Sequence, residues 1–247
     1  MKKKIFTIIT ARTGSARLSK KCIRLIKKKP IIEIIIQRSK EIGYPVVLAT
    51  TKNKEDNILC EYAKKNKIYY FRGSEKNVLK RWNDCIEFYK IDIINIVDAD
   101  DLLLDYNSYK KGIKIILKNN YDYINSEKNS ITGLFNYVCK ASIIKRLFRE
   151  YKKKNIETIE PFLKKKKYKF FSLKLKKSNN IRLTLDYNED LVLFKKIFSK
   201  FSFNVKSNNV ISYLQKNKKI SNINYFRQSD YKSNQKKKYE KLQGMEV

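Results

Sequence analysis

Histidine is absent from this 247-residue chain, and that absence removes whole classes of chemistry. Without imidazole there is no Ser-His-Asp triad, no Cys-His pair and no His-ligated zinc. Cysteine is sparse. Cys22, Cys60, Cys85 and Cys139 stand far apart with no Cys-x-x-Cys spacing, which reads as reduced, buried thiols and not as a disulfide framework or a metal site. Long apolar runs are missing as well. The basic start "MKKK" leads only into "IFTII", and "PIIEIIIQ" is short and carries Glu33. No signal peptide and no membrane span are therefore expected, and the reading is of a soluble cytoplasmic protein. There are only 6 glycines and 3 prolines, and no Gly/Pro/Ser linker or internal repeat divides the chain. We expect a single domain over 1–224, with a nucleotide-binding half (1–105), an acceptor-binding half (106–224) and a polar tail or loosely attached helix over 225–247.

Acidic residues are also scarce, 24 against 57 Lys and Arg, for a formal charge of +33. Such a charge usually suggests nucleic acid or an anionic membrane. Here Lys is abundant together with Ile, Asn, Tyr and Phe, residues that share A/T-rich codons, so a nucleotide-biased genome explains the pattern. The runs Lys164–Lys167 and Lys236–Lys238 then read as solvated surface. A nucleic-acid binder would interleave exposed aromatics with cations, whereas Tyr69, Tyr70, Phe71 and Trp82 fall on elements expected to be buried. Nucleic acid is not expected as a partner. What survives is a surface field that favours anionic ligands.

What is present is a rhythm. Strands are expected at 5–10, 45–50, 67–71 and 91–97. Helices are expected from Pro30 to about Ile42, over 53–66, and after "RGSE", where Ser74 can cap. This β-α alternation predicts a Rossmann-like α/β fold, a mostly parallel sheet flanked by helices, followed by a smaller α+β part. In the second half, helices are expected near 106–118, 141–153 and 157–165, with strands near 121–125, 134–139 and 168–176. A further strand should end at Asp186, before a helix capped near Asn188. Ligands in such sheets sit beyond the carboxyl ends of the strands, where "TARTGSARLSKK" (10–21), "ATTKN", "RGSE" and "DADD" all fall.

The opening loop carries Gly14, which permits close backbone approach, small residues that present N–H groups, and the cations Arg12, Arg17 and Lys21. It fits neither the Walker nor the dinucleotide fingerprint. Either it wraps a phosphate chain or it is a plain basic loop. "DADD" places Asp98 and Asp100 on one face of a strand end and Asp101 on the other. These acids either ligate Mg²⁺ or serve as a helix cap with solvated carboxylates. Asp186 is a second strand-end acid, and Asp190 reads as N-terminal helix charge. Trp82 reads as core ahead of a base-stacking ring, Arg72 and Arg81 as surface pairs or as site cations ranked below Arg12 and Lys21, and Glu157 and Glu160 as partners for lysines ahead of a sugar contact.

In order, "ARTGSARLSKK" (11–21), Lys29-Pro30-Ile31, "ATT" (49–51), "RGSE" with Val78, Leu79 and Arg81, "DDLLLD" (100–105) and "RLTLDYNEDL" (182–191) resemble the cytidylyltransferases that make CMP-activated acidic sugars. The likeness is greatest to the spore coat polysaccharide biosynthesis protein F branch. Ser19 and Leu102 replace family prolines, and the branch's E-H-x-T-P-Y appears as Glu157 to Phe162 without the His.

The resemblance implies a nucleotide-diphospho-sugar transferase type of fold. It also implies metal-dependent transfer of CMP from CTP to a sugar acid, with loss of pyrophosphate, in surface polysaccharide synthesis. By the same resemblance Ala11, Arg12, Gly14, Ser15, Arg17 and Lys21 hold the triphosphate. Ala49, Thr50, Arg72, Gly73 and Ser74 lie along the base. Arg12, Lys21 and Asp100 are catalytic, and Asp100 and Asp186 bind Mg²⁺. A homodimer is suggested by the same likeness. The alternatives are a type-A-fold glycosyltransferase using Asp98-Ala99-Asp100, or another sugar nucleotidyltransferase.

Overall fold

The computed structural model describes residues 2–15, 17–152, 154–165 and 168–243. Ala16 of the opening loop, the side chains of the Lys164–Lys167 run and the last four residues of the expected tail lie outside that description. The chain runs through β1 (Ile5–Thr10), the short hairpin β2 (Leu25–Ile26) and β3 (Lys29–Pro30), α1 (Ile31–Lys40), β4 (Val46–Thr51), α2 (Asn57–Lys65) and β5 (Tyr69–Gly73). It continues through α3 (Val78–Tyr89), β6 (Ile93–Asp98), α4 (Tyr106–Lys118), β7 (Tyr123–Ser126), β8 (Tyr137–Lys140) and α5 (Ala141–Glu150). The remaining elements are α6 (Glu160–Lys165), β9 (Phe170–Leu173), α7 (Asn188–Lys200), α8 (Ser207–Lys216), α9 (Lys218–Tyr225) and α10 (Arg227–Gln243).

Seven strands form one sheet in the order β5-β4-β1-β6-β8-β7-β9. β8 alone runs against its neighbours, and the other pairings are parallel. Strands β1, β4 and β6 are buried along nearly their whole length, as continuous apolar runs in the middle of a covered sheet should be. Alternation sends Ile5 and Ile9, Val46 and Leu48, and Ile93 and Val97 into a core shared with α1, α2, α4 and α7. Phe6 and Ile8, Val47 and Ala49, and Ile94 and Ile96 face a second core beneath α3 and α5. Because β8 hydrogen-bonds β6, the sheet runs unbroken across the expected boundary at residue 105.

The chain leaves β1 toward β4 and β5 and then returns to β6 on β1's other side, so the sheet reverses its winding between β1 and β6. Thr10 stands level with Asp98 there, and the crevice beyond these two strand ends is the usual ligand position for such a fold. Buried Arg38 braces this edge from below. Its guanidinium donates to the carbonyls of Leu104, Phe203 and Val205, each at 2.9 Å.

Several local expectations are corrected. The cap of α3 is Asn77, whose side chain accepts from the Lys80 N–H at 2.9 Å, while the Ser74 hydroxyl accepts from the Asn77 N–H. Residues 181–186 are extended but join no strand ladder. Leu183 and Leu185 donate to the loop carbonyls of Thr132 and Asp100. Tyr69 and Tyr70 are exposed, because β5 is an edge strand and gains no neighbour beyond it. The segment read as a tail or a loosely attached helix forms the 17-residue helix α10, which packs against α6 and α9. All four cysteines are free and buried, and burial pushes the Cys85 thiol up to about 12. No helix of the described residues is long and apolar enough to cross a membrane.

Candidate active site

The opening loop leaves β1 and is fastened at once. The backbone N–H and hydroxyl of Thr13 both donate to one oxygen of Asp56 at 2.7 Å, and the Thr51 hydroxyl donates to the other. Burial works to raise the Asp56 pKa, but these hydrogen bonds overcome it and hold the carboxyl below its ordinary value. Leu18 is buried midway along the loop and anchors it between two cations. A β-carbon at Gly14 would meet no atom within 4 Å. The protein's own packing thus does not demand glycine there.

The two cations reach the acids across the crevice. Lys21 Nζ lies 2.5 Å from Asp100 Oδ2, 3.4 Å from Asp186 Oδ1 and 3.2 Å from the Leu185 carbonyl. Arg17 donates to Asp186 Oδ1 at 2.5 Å. Burial opposes ionisation of Asp186, yet Lys21, Arg17 and Arg182 together hold its carboxyl below the ordinary range. Asp98, Asp100 and Asp101 offer oxygens that lie within 4.8 Å of one another. Burial and the Asp100 charge push both Asp98 and Asp101 up, and Asn136 donates to each, at 3.1 and 3.3 Å. The donors are all hard carboxyl oxygens, a set that fits Mg²⁺. Asp186 stands across Lys21 from this cluster.

Behind Asp186 lies Arg182, fully buried. It donates to Asp186 Oδ2 at 2.8 Å, to Asp190 at 3.1 and 3.3 Å, and to Gln228 Oε1 at 3.2 Å. Its guanidinium also sits 4.6 Å from the Tyr231 ring centroid. Asp190 accepts in addition from the Asp186 and Tyr187 N–H groups, so the charge expected at the start of α7 also clamps the turn that presents Asp186. Gly133 permits the extended segment to pass. Its φ is +93°, and a β-carbon there would stand 2.0 Å from the Leu183 carbonyl oxygen.

The remaining expected residues gather elsewhere along the edge. Arg12 points toward the "RGSE" turn, donating to the Glu75 carbonyl at 3.4 Å, and lies 4.0 Å from Glu157. Ala49 and Thr50 have buried side chains in β4. Arg72 donates to the carbonyls of Thr51 and Asn53 and so fixes the turn after β4. Gly73 and Ser74 pack on Arg81, whose Cγ would lie 2.9 Å from a β-carbon at Gly73, and the Ser74 carbonyl accepts from Arg81. Arg81 is no surface pair. It is buried, and burial together with nearby Arg12 pushes its pKa down to about 10. Trp82 is core, as expected, and donates to the Thr10 hydroxyl. Ser15 lies in the loop with partial exposure, and Ala11 is buried with its N–H on the Ala49 carbonyl. The structure thus joins Arg17, Lys21, Asp100 and Asp186 directly, and sets Arg12 on the flank beside the 72–74 turn.

A cavity of about 770 Å³ opens beside the acids, between the β7–β8 region and α10. Asn136 lines it and ties it to Asp98 and Asp101. Asp56, Asn136 and the cavity face of α10 were not singled out from sequence. Asp56 looks like an ordinary acid at a helix start, and α10 lacks an apolar stripe.

Cations folded onto acids at the carboxyl edge of a sheet of this topology, beside a polar cavity, are the arrangement of a nucleotidyltransferase. The cytidylyltransferase family model matches residues 6–246, and the chain belongs to that family. The uncharacterized protein MJ1063 of Methanocaldococcus jannaschii is 35% identical over 240 residues, covering 93% of this chain and 98% of its own length. The spore coat polysaccharide biosynthesis protein SpsF of Bacillus subtilis is 32% identical over 107 residues, 41% of this chain and 45% of that protein. A solved cytidylyltransferase from Leptospira borgpetersenii has a TM-score of 0.81 at 26% identity, covering 90% of this chain and 98% of that one. The family sets aside the glycosyltransferase alternative.

Proposed function

We propose that the protein transfers CMP from CTP to an acidic sugar, with release of pyrophosphate, in the synthesis of a surface polysaccharide. The observation that carries this reading is the joining of Arg17 and Lys21 to Asp100 and Asp186, with Asn136 linking the neighbouring Asp98 and Asp101 to a polar cavity. Family membership supports CTP as donor, and the likeness to the spore coat protein supports the polysaccharide setting. The acceptor hydroxyl attacks the α-phosphorus. A new P–O bond forms, the bond to the β-phosphate oxygen breaks, and the hydroxyl proton passes to solvent. Arg17, Lys21 and, from the flank, Arg12 offset the charge of the triphosphate and of the departing pyrophosphate. Asp100 and Asp186 would hold Mg²⁺, with Asp98 and Asp101 offering further carboxyl oxygens beside Asp100. Bound there, the ion polarises phosphate oxygens and eases loss of the hydroxyl proton.

Thermal melts with CTP, UTP, GTP, ATP and dTTP, each with and without Mg²⁺, test the donor. A nucleotide at a hundredfold excess over its Kd adds about 2.7 kcal/mol, or ~5–10 °C for a chain of this size. The reading expects that shift for CTP with Mg²⁺ and its loss in Asp100→Asn. Preference for another nucleotide would refute CTP as donor. A CTP shift indifferent to Mg²⁺ and to Asp100→Asn would remove the metal.

A further inference from the structure

The cavity beside the acids has two chemically different sides. One, between β7 and β8 and at 178–181, carries amides and hydroxyls, with Asn125, Asn129, Asn136 and Asn179 beside apolar Ile131 and Phe135, and the Glu160 carboxyl also lines the cavity. Amides donate and accept at once, which suits the hydroxyls of a polyol. The other side is α10. Gln228, Tyr231, Lys232, Gln235, Lys236 and Tyr239 all line the cavity, and their spacing of three and four puts them on one helical face. Among the described residues lining the cavity, none is an arginine, and the cations are Lys232 and Lys236, both on α10. Lys236 has a carboxylate of its own, Glu240 at 3.9 Å. Lys232 forms no ion pair with any described residue.

The helix is also held in place. Arg227 pairs with Glu189 at 2.8 Å, Lys238 pairs with Glu157 at 3.2 Å, and Tyr231 lies on the buried guanidinium of Arg182. The Lys232 ammonium is therefore carried on a seated element, and a surface tail would not fix it so.

We propose that α10 is the acceptor-recognition helix and that Lys232 is the residue that receives the acceptor's carboxylate. This rests on the CMP-transfer reading and adds to it the group that selects an acid over a neutral sugar.

The test uses the full chain with CTP and Mg²⁺, following pyrophosphate release with a panel of 2-keto-3-deoxy sugar acids and hexuronic acids. Each acid is paired with its uncharged methyl ester. Wild type should use an acid and discriminate against its ester. Lys232→Gln should raise the KM for the acid by up to about fivefold, in the range of an exposed ion pair, and narrow the difference from the ester. Lys232→Arg should restore the preference, and the KM for CTP should not change in either variant. Undiminished acid preference in Lys232→Gln would overturn the proposal, as would wild-type turnover of uncharged acceptors alone or of no acid in the panel. Stabilisation by CTP separates the two failures. It persists if only the role of Lys232 is wrong, and it is lost if the CMP-transfer reading itself fails.

Discussion

Replacing Arg182 by methionine keeps most of the side-chain volume and removes one charge. It would strip partners from two carboxylates that are 3% and 0% exposed, Asp186 and Asp190, and from Gln228 and the face of Tyr231. Breaking a buried pair from one side typically costs 3–5 kcal/mol, and about 1 kcal/mol more is expected from the lost aromatic contact. At roughly 2–4 °C per kcal/mol for a chain of this length, the melting temperature should fall by about 8–24 °C at neutral pH. The pH dependence follows from Asp186, whose folded pKa is depressed to about 2. A depressed carboxylate pKa contributes stability that is fully present above the unfolded value near 4 and is lost as pH falls through the folded value. The gap between wild type and Arg182→Met should thus be widest above about pH 4 and shrink toward pH 2. Melts across that range, with amide exchange over residues 227–243, are the assay. Protection of α10 should fall first, because Arg182 is its buried seat. A loss under about 1 kcal/mol, or a gap that does not change with pH, would refute the account of Arg182 as the clamp between Asp186 and α10.

Deleting the chain from Arg227 onward removes one side of the cavity and the Tyr231 contact. Turnover of the acceptor should fall at least ~100-fold while stabilisation by CTP is kept, the reverse of what a dispensable tail would give. Activity within a few-fold of wild type would show that α10 does not complete the site. Gly133→Ala would place a β-carbon 2.0 Å from the Leu183 carbonyl oxygen at a φ of +93°. A loss of roughly 2–4 kcal/mol in urea unfolding is expected, and unchanged stability would mean that the 183–186 segment is not held against Gly133.

What the sequence shows clearly is the part of the fold buried on both faces. β1, β4 and β6 are short unbroken apolar runs, each closed by a change of composition, and no neighbouring residue is needed to read them. The same rule misleads at 181–186. Ile181, Leu183 and Leu185 alternate with polar residues as a strand does, and they are buried as a strand's would be. The Leu183 and Leu185 N–H groups, however, bond to carbonyls of loops, and Arg182, Thr184 and Asp186 between them are buried too, so alternation here marks neither a hydrogen-bonded neighbour strand nor a solvent face. Tyr69 and Tyr70 fail for a related reason. Composition marks β5 as a strand, but its place at the sheet edge is set by the order of chain crossings and leaves those rings exposed.

The site divides along the same line. Arg17, Lys21, Asp100 and Asp186 could be read from sequence because each lies at the end of a legible strand or in a motif, and the structure brings them into direct contact. The α10 face of the cavity could not. α10 contains Tyr231, Tyr239 and Leu242 as its large apolar or aromatic side chains, too few for a periodic stripe, and its docking relies on pairs such as Arg227–Glu189 and on rings over Arg182. A helix whose inner face is directed at a polar cavity has no reason to be amphipathic. The polarity that made the segment look like a tail is the chemistry expected of a surface that meets a sugar, and the lysine excess that resembled mere codon bias includes, at Lys232, one cation with a specific task to test.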